Sequence, residues 1–183
     1  MPAIQRKPHS RPYAIWRLLS RIGALSEDDY SNRRRIILTN QISLLAVVFT
    51  ASYGVLFSAM YWHQLKPIII HDPLIIAGYL SVIVLNYMGK PLWARQLLMV
   101  VPAVQFTAGV WYLGNSAGIQ QYLFVAWAGA FLLSPKERRW SLPLTAGLFV
   151  MLYLYCVLEL TEPRAQAYGL PITFYNTAFI VNS

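Results

Sequence analysis

Ionisable side chains are scarce within the apolar stretches of this chain, and this limits the chemistry it can perform. The 183 residues include 3 His and 7 Asp and Glu. No lysine stands mid-stretch to form a retinal Schiff base. His9, His63 and His71 lie outside or at the ends of the stretches, so a haem between membrane helices lacks its usual ligands. Ion and proton pumps normally need a mid-membrane carboxylate, which is also missing. These absences argue against transporters, oxidases and photoreceptors.

Metal binding and catalysis are not expected either. His63, His71 and Asp72 lie in the predicted outer loop between the first two spans or at its end, but their spacing matches no standard motif and zinc usually needs four ligands. The acidic run 27–29 opens a helix and has no surrounding cleft. No nucleophile is paired with a base, and no glycine loop could cradle a phosphate. We therefore expect no catalytic residue, no metal and no cofactor in this chain.

Uncharged polar residues inside the apolar stretches are the better candidates for function. An amide in hydrocarbon must find a partner, so each should face the interior of a helix bundle. Hydrogen bonding between helices is the simpler role, and we expect it for Asn40, Gln41, Asn86 and Asn176. A lipophilic ligand pocket near the outer leaflet is the alternative, with aromatic walls and a few polar groups. Its candidate residues are Gln105, Trp111, Tyr112, Gln120, Tyr122 and Trp127.

The composition predicts that lipid is the solvent for much of this chain. Hydrophobic residues make up 57% and charged residues 12%, against roughly a quarter charged in a soluble domain. About 20 apolar residues in a helix cross a bilayer core. The uncharged stretches, divided at the turn-forming sequence Gly114–Gly118, predict an all-α bundle of six membrane helices. The predicted spans are 36–62, 70–89, 95–113, 119–134, 141–160 and 168–183.

The distribution of Lys and Arg predicts the orientation of these spans. With the N-terminus in the cytoplasm, 13 of the 15 Lys and Arg fall on the inner side, and only Lys66 and Arg164 fall outside. The inner clusters are expected to contact anionic lipid head groups. No soluble basic face is available for nucleic acid, which we exclude as a partner. The clusters are Arg33, Arg34 and Arg35, and Lys136, Arg138 and Arg139.

Residues 1–35 are predicted to form a basic cytoplasmic segment. Tyr13, Trp16 and Leu19 recur at helical spacing, which predicts a short amphipathic helix on the inner leaflet. Ser26 and Asp29 have the spacing of a capping box. We therefore expect the first membrane helix to start near Glu27.

Several short sequences occur in an order that is similar to a known family. Arg33-Arg34-Arg35 precedes Asn40, residues 86–90 read NYMGK, and residues 114–122 read GNSAGIQQY before a charged inner loop at residues 136–139. This order resembles the six-helix membrane domains that precede bacterial class III adenylate cyclases. Related domains also precede diguanylate cyclases and histidine kinases.

The resemblance implies a sensor and anchor in the bacterial inner membrane. Such a domain forms a homodimer and passes a membrane or lipophilic signal through its last helix to a cytoplasmic catalytic domain. In the cyclases that effector uses ATP and Mg, held by residues that this chain does not contain. Residues 180–183 lack a basic inner stop, so we expect the sixth helix to continue towards an effector. A histidine kinase or diguanylate cyclase input domain, and a small transporter or channel, are the alternatives.

Overall fold

The computed structural model describes residues 11–24, 29–114, 117–133, 141–160 and 174. Within these residues the chain is helical and contains no strand, as the predicted fold class requires. Phe174 is the one described residue of the sixth predicted span, and the predicted inner cluster Lys136, Arg138 and Arg139 lies outside the described residues. The helices are α1 (Arg11–Ser20), α2 (Tyr30–Tyr87), α3 (Pro91–Leu113), α4 (Tyr122–Leu133) and α5 (Ser141–Leu158).

Helix α1 occupies the position where the spacing of Tyr13, Trp16 and Leu19 predicts an amphipathic helix. Trp16 and Leu19 are half-buried, whereas Tyr13 and Leu18 are exposed. Two turn hydrogen bonds follow the helix, from the amide nitrogens of Arg21 and Ile22 to the carbonyl oxygens three residues before them. Because this turn redirects the chain, α1 lies against α2.

Helix α2 consists of two helical arms that fold back on each other as a hairpin. Its backbone leaves the helical conformation at Tyr61 (φ −141°, ψ 37°). Ser43 Oγ donates a 2.5 Å hydrogen bond to the carbonyl oxygen of Tyr79, although 36 residues of straight helix would separate them by about 54 Å. The chain therefore reverses at Tyr61, and residues 30–60 and 62–87 lie side by side as two antiparallel arms. Each arm exceeds the about 20 residues that cross a bilayer core.

The prediction of an outer loop around His63, His71 and Asp72 is wrong at the level of the backbone. All three residues are helical, and Pro67 and Pro73 also lie inside the helix. A helix satisfies its backbone groups internally, which favours it over an irregular loop next to an apolar phase. Among the described residues, no group of three or more His, Cys, Asp or Glu could hold a metal ion.

The start of α2 also differs from the prediction. The helix begins at Tyr30, not near Glu27, and Asp29 is its N-cap residue without a side-chain capping bond. The carbonyl oxygen of Asp29 accepts the first helical hydrogen bond, from the amide nitrogen of Arg33 at 2.9 Å. Asp29 is therefore itself the N-cap residue, not the N3 residue of a capping box that begins at Ser26. Ser26 lies outside the described residues.

The glycine-rich sequence after α3 reverses the chain, as its composition predicts. Gly114 (φ +74°) ends α3 and Gly118 (φ +72°) precedes a 3-10 turn at Ile119–Gln121. Both glycines use the left-handed region that other residues rarely adopt. A Cβ placed on Gly109 would lie 3.4 Å from the side chain of Ile119 across the reversal. Helices α3, α4 and α5 pack against one another after it.

Three buried apolar clusters hold these helices together. The first joins the second arm of α2 to α3 through Tyr79, Val82 and Leu98. The Phe174 cluster consists of Leu65, Leu113, Ala117 and Phe174 with Phe57, Tyr61 and Tyr112 packed against it, and the Leu123 cluster consists of Val110, Leu123, Phe149 and Cys156 with Phe106 and Trp127 packed against it.

Two of the described helices, α2 and α3, are long and apolar enough to cross a membrane. Residues 143–158 of α5 form a shorter apolar helix. Many large apolar side chains on these helices are exposed to the surroundings of the protein, including Phe49, Val55 and Met151. Exposed apolar surface on this scale is typical of a protein that contacts lipid or other protein surfaces.

Candidate functional site

A buried hydrogen-bonded junction ties α1 to both arms of α2. Asn40 Nδ2 donates to the carbonyl oxygens of Ser20 at 3.2 Å and Ile22 at 2.8 Å. Asn86 Nδ2 donates to Asn40 Oδ1 at 2.7 Å. Asn40 uses donor and acceptor together, which a carboxylate or an aliphatic side chain cannot do. We name this site the α1 junction (Ser20, Ile22, Gly23, Asn40 and Asn86).

Gly23 allows the turn after α1 to approach α2 this closely. Its φ of +75° lies in the left-handed region, and a Cβ placed on it would lie 2.1 Å from the carbonyl oxygen of Asn86. No real Cβ tolerates such a contact with backbone. The left-handed conformation by itself costs other residues about 1–2 kcal/mol. Glycine is therefore required at position 23 for two reasons, its positive φ and its lack of a side chain.

Arg95 extends the polar contacts to the start of α3. Its side chain is 4% exposed, and its Nη2 atom donates to Asn32 Oδ1 at 2.7 Å. A buried guanidinium is costly unless it is hydrogen-bonded, so this contact fixes α3 against the start of α2. The sequence places Arg95 among the basic residues that set orientation, and its buried role was missed. Arg95 lies four residues after Pro91, the first residue of α3, and a basic residue at this position can either set orientation or make a buried contact.

A second polar network lies farther along the hairpin. Tyr79 Oη donates to Gln105 Oε1 at 2.8 Å, and Gln105 Nε2 donates to Thr50 Oγ1 at 3.0 Å. The backbone of the same tyrosine accepts the bond from Ser43 described above. We name these residues the Tyr79 network (Ser43, Thr50, Tyr79 and Gln105). It connects both arms of α2 to α3 through uncharged groups alone.

The six candidate ligand residues are divided among different surroundings. Gln105 belongs to the Tyr79 network, Tyr112 packs on the Phe174 cluster and Trp127 packs on the Leu123 cluster. Tyr122 stacks on Phe106, with ring centroids 5.2 Å apart and planes at 24°. In contrast, Trp111 is exposed, whereas Gln120 is buried in the 3-10 turn.

The candidate residues for contacts between helices are also distributed unevenly. Asn40 and Asn86 bond to each other, whereas Gln41 is half-buried one residue further along the first arm. Asn176 lies outside the described residues.

Of the basic cluster at the start of α2, Arg34 is exposed, and the carbonyl oxygen of Arg35 accepts a bond from Thr39 Oγ1 at 2.8 Å.

Aromatic contacts dominate the end of the hairpin that is remote from α1. The ring of Tyr61 meets Phe174 edge to face at 5.2 Å, and Phe57 lies 5.9 Å from the same ring. Tyr53 lies 5.8 Å from Phe57. The hairpin turn therefore contacts a residue of the sixth predicted span. The two ends of α2 thus differ in chemistry, with amides at the α1 junction and aromatic rings at the turn.

Comparison with known protein families gives a match over most of the chain. The family model of MASE7 covers residues 27–183. MASE7 is a family of membrane-associated sensor domains. No curated protein and no solved structure matches the chain.

Proposed function

Because the chain belongs to the MASE7 family of membrane-associated sensor domains, we propose that it is the membrane input domain of a bacterial signalling enzyme. In this proposal six helices cross the inner membrane with the N-terminus in the cytoplasm. The effector is a class III adenylate or guanylate cyclase, which uses ATP and Mg. The observation that carries the proposal is the family match over most of the chain.

The hydrogen bonds of the hairpin suit transmission of a signal. Through Asn40 and Asn86 the α1 junction links the N-terminal helix to both arms of α2, and the Tyr79 network links both arms to α3. These hydrogen bonds couple the positions of the elements that they join. A small shift of one arm is therefore passed to its neighbours, which can bias a two-state effector.

A homodimer is part of the proposal, since class III cyclases act as dimers. The exposed apolar side chains of α2 and α5 provide surface both for lipid and for a second copy. The proposed stimulus is a membrane state or a lipophilic ligand. Trp127 Nε1 is buried without a hydrogen-bond partner in the described part of the chain, so a ligand carbonyl beside α4 would supply the missing acceptor.

The first experiment is to read the coding sequence of the native gene past codon 183. A cyclase domain with two metal-binding aspartates supports the proposal. A phosphoacceptor histidine domain or a diguanylate cyclase domain would assign the same input role to another effector. A gene without any effector overturns the proposal, and solute flux into liposomes would then test the alternative of a small transporter or channel.

The second experiment tests signalling directly in the intact protein. The six helices are replaced by an inert dimeric membrane anchor, and cyclic nucleotide production is compared across membranes of different composition. We expect the native protein to respond to composition and the chimera to lose that response. Equal responses of both proteins would contradict a sensory role for this domain.

A further inference from the structure

A groove runs along the surface of α3, beside the end of the second arm of α2. Its volume is about 420 Å³. One wall comes from α2, one end from the connection between the helices, and the remainder from α3. The residues that line it are Leu85, Lys90, Trp93, Gln96, Leu97 and Val100.

The groove is polar at one end and apolar at the other. The four α3 residues have the spacing i, i+3, i+4 and i+7, which places them on one face of the helix. From Trp93 to Val100 this face extends about 10 Å. Lys90, in the connection, provides the only charge in the lining, and Leu85 lies beside it, since its carbonyl oxygen accepts a 2.9 Å hydrogen bond from the amide nitrogen of Lys90. Leu97 and Val100 line the far end.

The cation at the polar end is available for a ligand. Lys90 is exposed, and Trp93 beside it is 68% exposed. The neighbouring cation Arg95 is buried, and its guanidinium bonds to Asn32. Exposed Trp next to Lys is typical of the boundary between hydrocarbon and water, where aromatic rings lie at the level of the head groups.

We propose that this groove binds one anionic phospholipid. The ammonium group of Lys90 pairs with the lipid phosphate, and Gln96, two turns deeper, donates to an ester carbonyl. The acyl chain lies against Leu97 and Val100, and Leu85 flanks the head-group end. The site rests on the proposed insertion of α2 and α3 in a bilayer, and it is independent of which effector the protein carries.

The shape of the lining favours a lipid over a free anion or a second protein copy. A free phosphate would use Lys90 and leave the apolar end of the groove, at Leu97 and Val100, uncovered. A second copy would have to place a negative group opposite Lys90 and an apolar side chain opposite Val100. A phospholipid of the surrounding bilayer carries both features in the required order and is present at high local concentration.

The test measures quenching of Trp93 fluorescence by brominated lipids. The full chain is placed in phosphatidylcholine nanodiscs containing either brominated phosphatidylglycerol or brominated phosphatidylcholine. The variant Trp93→Phe identifies the contribution of Trp93 among the 6 tryptophans. We expect Trp93 to be quenched preferentially by the anionic lipid. The variant Lys90→Gln should lower that preference about fivefold, since one Lys near a membrane surface contributes about 1 kcal/mol.

A matched control separates this site from general surface charge. Arg17 is exposed on α1 at the same end of the protein, and Arg17→Gln removes the same charge without touching the groove. It should leave the preference unchanged. The variant Val100→Phe fills the apolar end without adding a tryptophan, and it should reduce quenching of Trp93 by both lipids while Lys90 is intact.

Several outcomes would overturn the proposal. Equal quenching by both lipids shows that the groove does not select charge. A loss in Arg17→Gln as large as in Lys90→Gln assigns the preference to the whole surface. Competition by inorganic phosphate identifies a free-anion site. Disulfide-linked dimers of Val100→Cys formed in membranes identify a second copy as the occupant. None of these readouts requires an effector, so they leave the sensor proposal to its own tests.

Discussion

The two halves of the helical assembly are held together by different forces. In the first half, named amide and hydroxyl groups join α1, α2 and α3 through the α1 junction and the Tyr79 network. In the second half, α3, α4 and α5 meet through the Leu123 cluster and the stacked rings of Phe106 and Tyr122. The hydrogen bonds named in the first half are directional and define register, whereas the contacts named in the second half are mainly apolar and aromatic.

This difference has a physical consequence for how each half responds to change. Helices in lipid gain little from the hydrophobic effect, so apolar interfaces depend on close packing. Hydrogen bonds between membrane helices contribute only about 0.6 kcal/mol on average, but they specify which residues meet. The Leu123 cluster should therefore contribute most to stability, whereas the polar half should contribute most to a defined arrangement.

The largest effect is expected from the variant Leu123→Ala. Leu123 is fully buried at the meeting point of α3, α4 and α5, and truncation of a buried Leu costs about 2–5 kcal/mol. The measurement is the free energy of unfolding in bicelles by steric trapping. The control Val125→Ala changes an exposed residue of the same helix and should cost less than about 0.5 kcal/mol. Similar losses in both variants would contradict tight packing in this half.

The next effect is expected from the variant Gly23→Ala. Its Cβ would collide with the carbonyl oxygen of Asn86, so α1 should detach from the hairpin. Hydrogen exchange of the amides in residues 11–24 measures this loss of docking. Gly89→Ala is the matched control, because Gly89 also has a positive φ (+70°) but nothing lies within 4 Å of its added Cβ. If both variants increase exchange equally, close approach at Gly23 is not what holds α1.

A smaller effect is expected from the variant Asn40→Leu. It removes the bonds to Ser20 and Ile22 and leaves the buried Asn86 without its acceptor, at a cost of about 1–3 kcal/mol. A double-mutant cycle with Asn86→Leu measures the coupling. We expect the double variant to cost less than the sum of the single variants, because each leaves the other amide unpaired. Simple additivity would show that the two amides act separately.

The smallest effect is expected from the variant Gln105→Leu. It breaks two bonds of the Tyr79 network, and it should cost between about 0.6 and 1.7 kcal/mol. Tyr79→Phe removes one of those bonds and should cost about half as much. The unfolding free energies of both variants under the same bicelle conditions provide the measurement. A cost for Gln105→Leu above that of Leu123→Ala would reverse the proposed division between the two halves.

Much of the architecture follows from composition and spacing. Apolar stretches too long for one span, interrupted by Gly114 and Gly118, predict the reversal after α3. Asn40 and Asn86, two of the four amides expected to face the bundle interior, are buried. These features depend on local sequence and on the general cost of placing polar groups in hydrocarbon, so they can be inferred without a structure.

Other features depend on contacts between distant residues. The predicted spans 36–62 and 70–89 place a reversal between them, but no glycine or asparagine at Tyr61 marks its exact site. The pairing of the two arms stabilises the reversal there. The need for glycine at position 23 arises only because Asn86 lies beside it. For the ligand pocket, the sequence identifies candidate aromatic and amide residues but not whether they lie together. Their separation between the Tyr79 network, the Phe174 cluster and the Leu123 cluster depends on helix rotation and packing.

The α1 junction has a consequence for biogenesis. Asn40 precedes its partner Asn86 by 46 residues, so at about 5–20 residues per second a ribosome needs roughly 2–9 s to supply that partner. The carbonyl groups of Ser20 and Ile22 are synthesised before Asn40 and can bind its amide during this interval. The turn after the N-terminal helix can therefore pair the amide nitrogen of Asn40 before the second arm has been made, and the amide oxygen of Asn40 is paired once Asn86 follows.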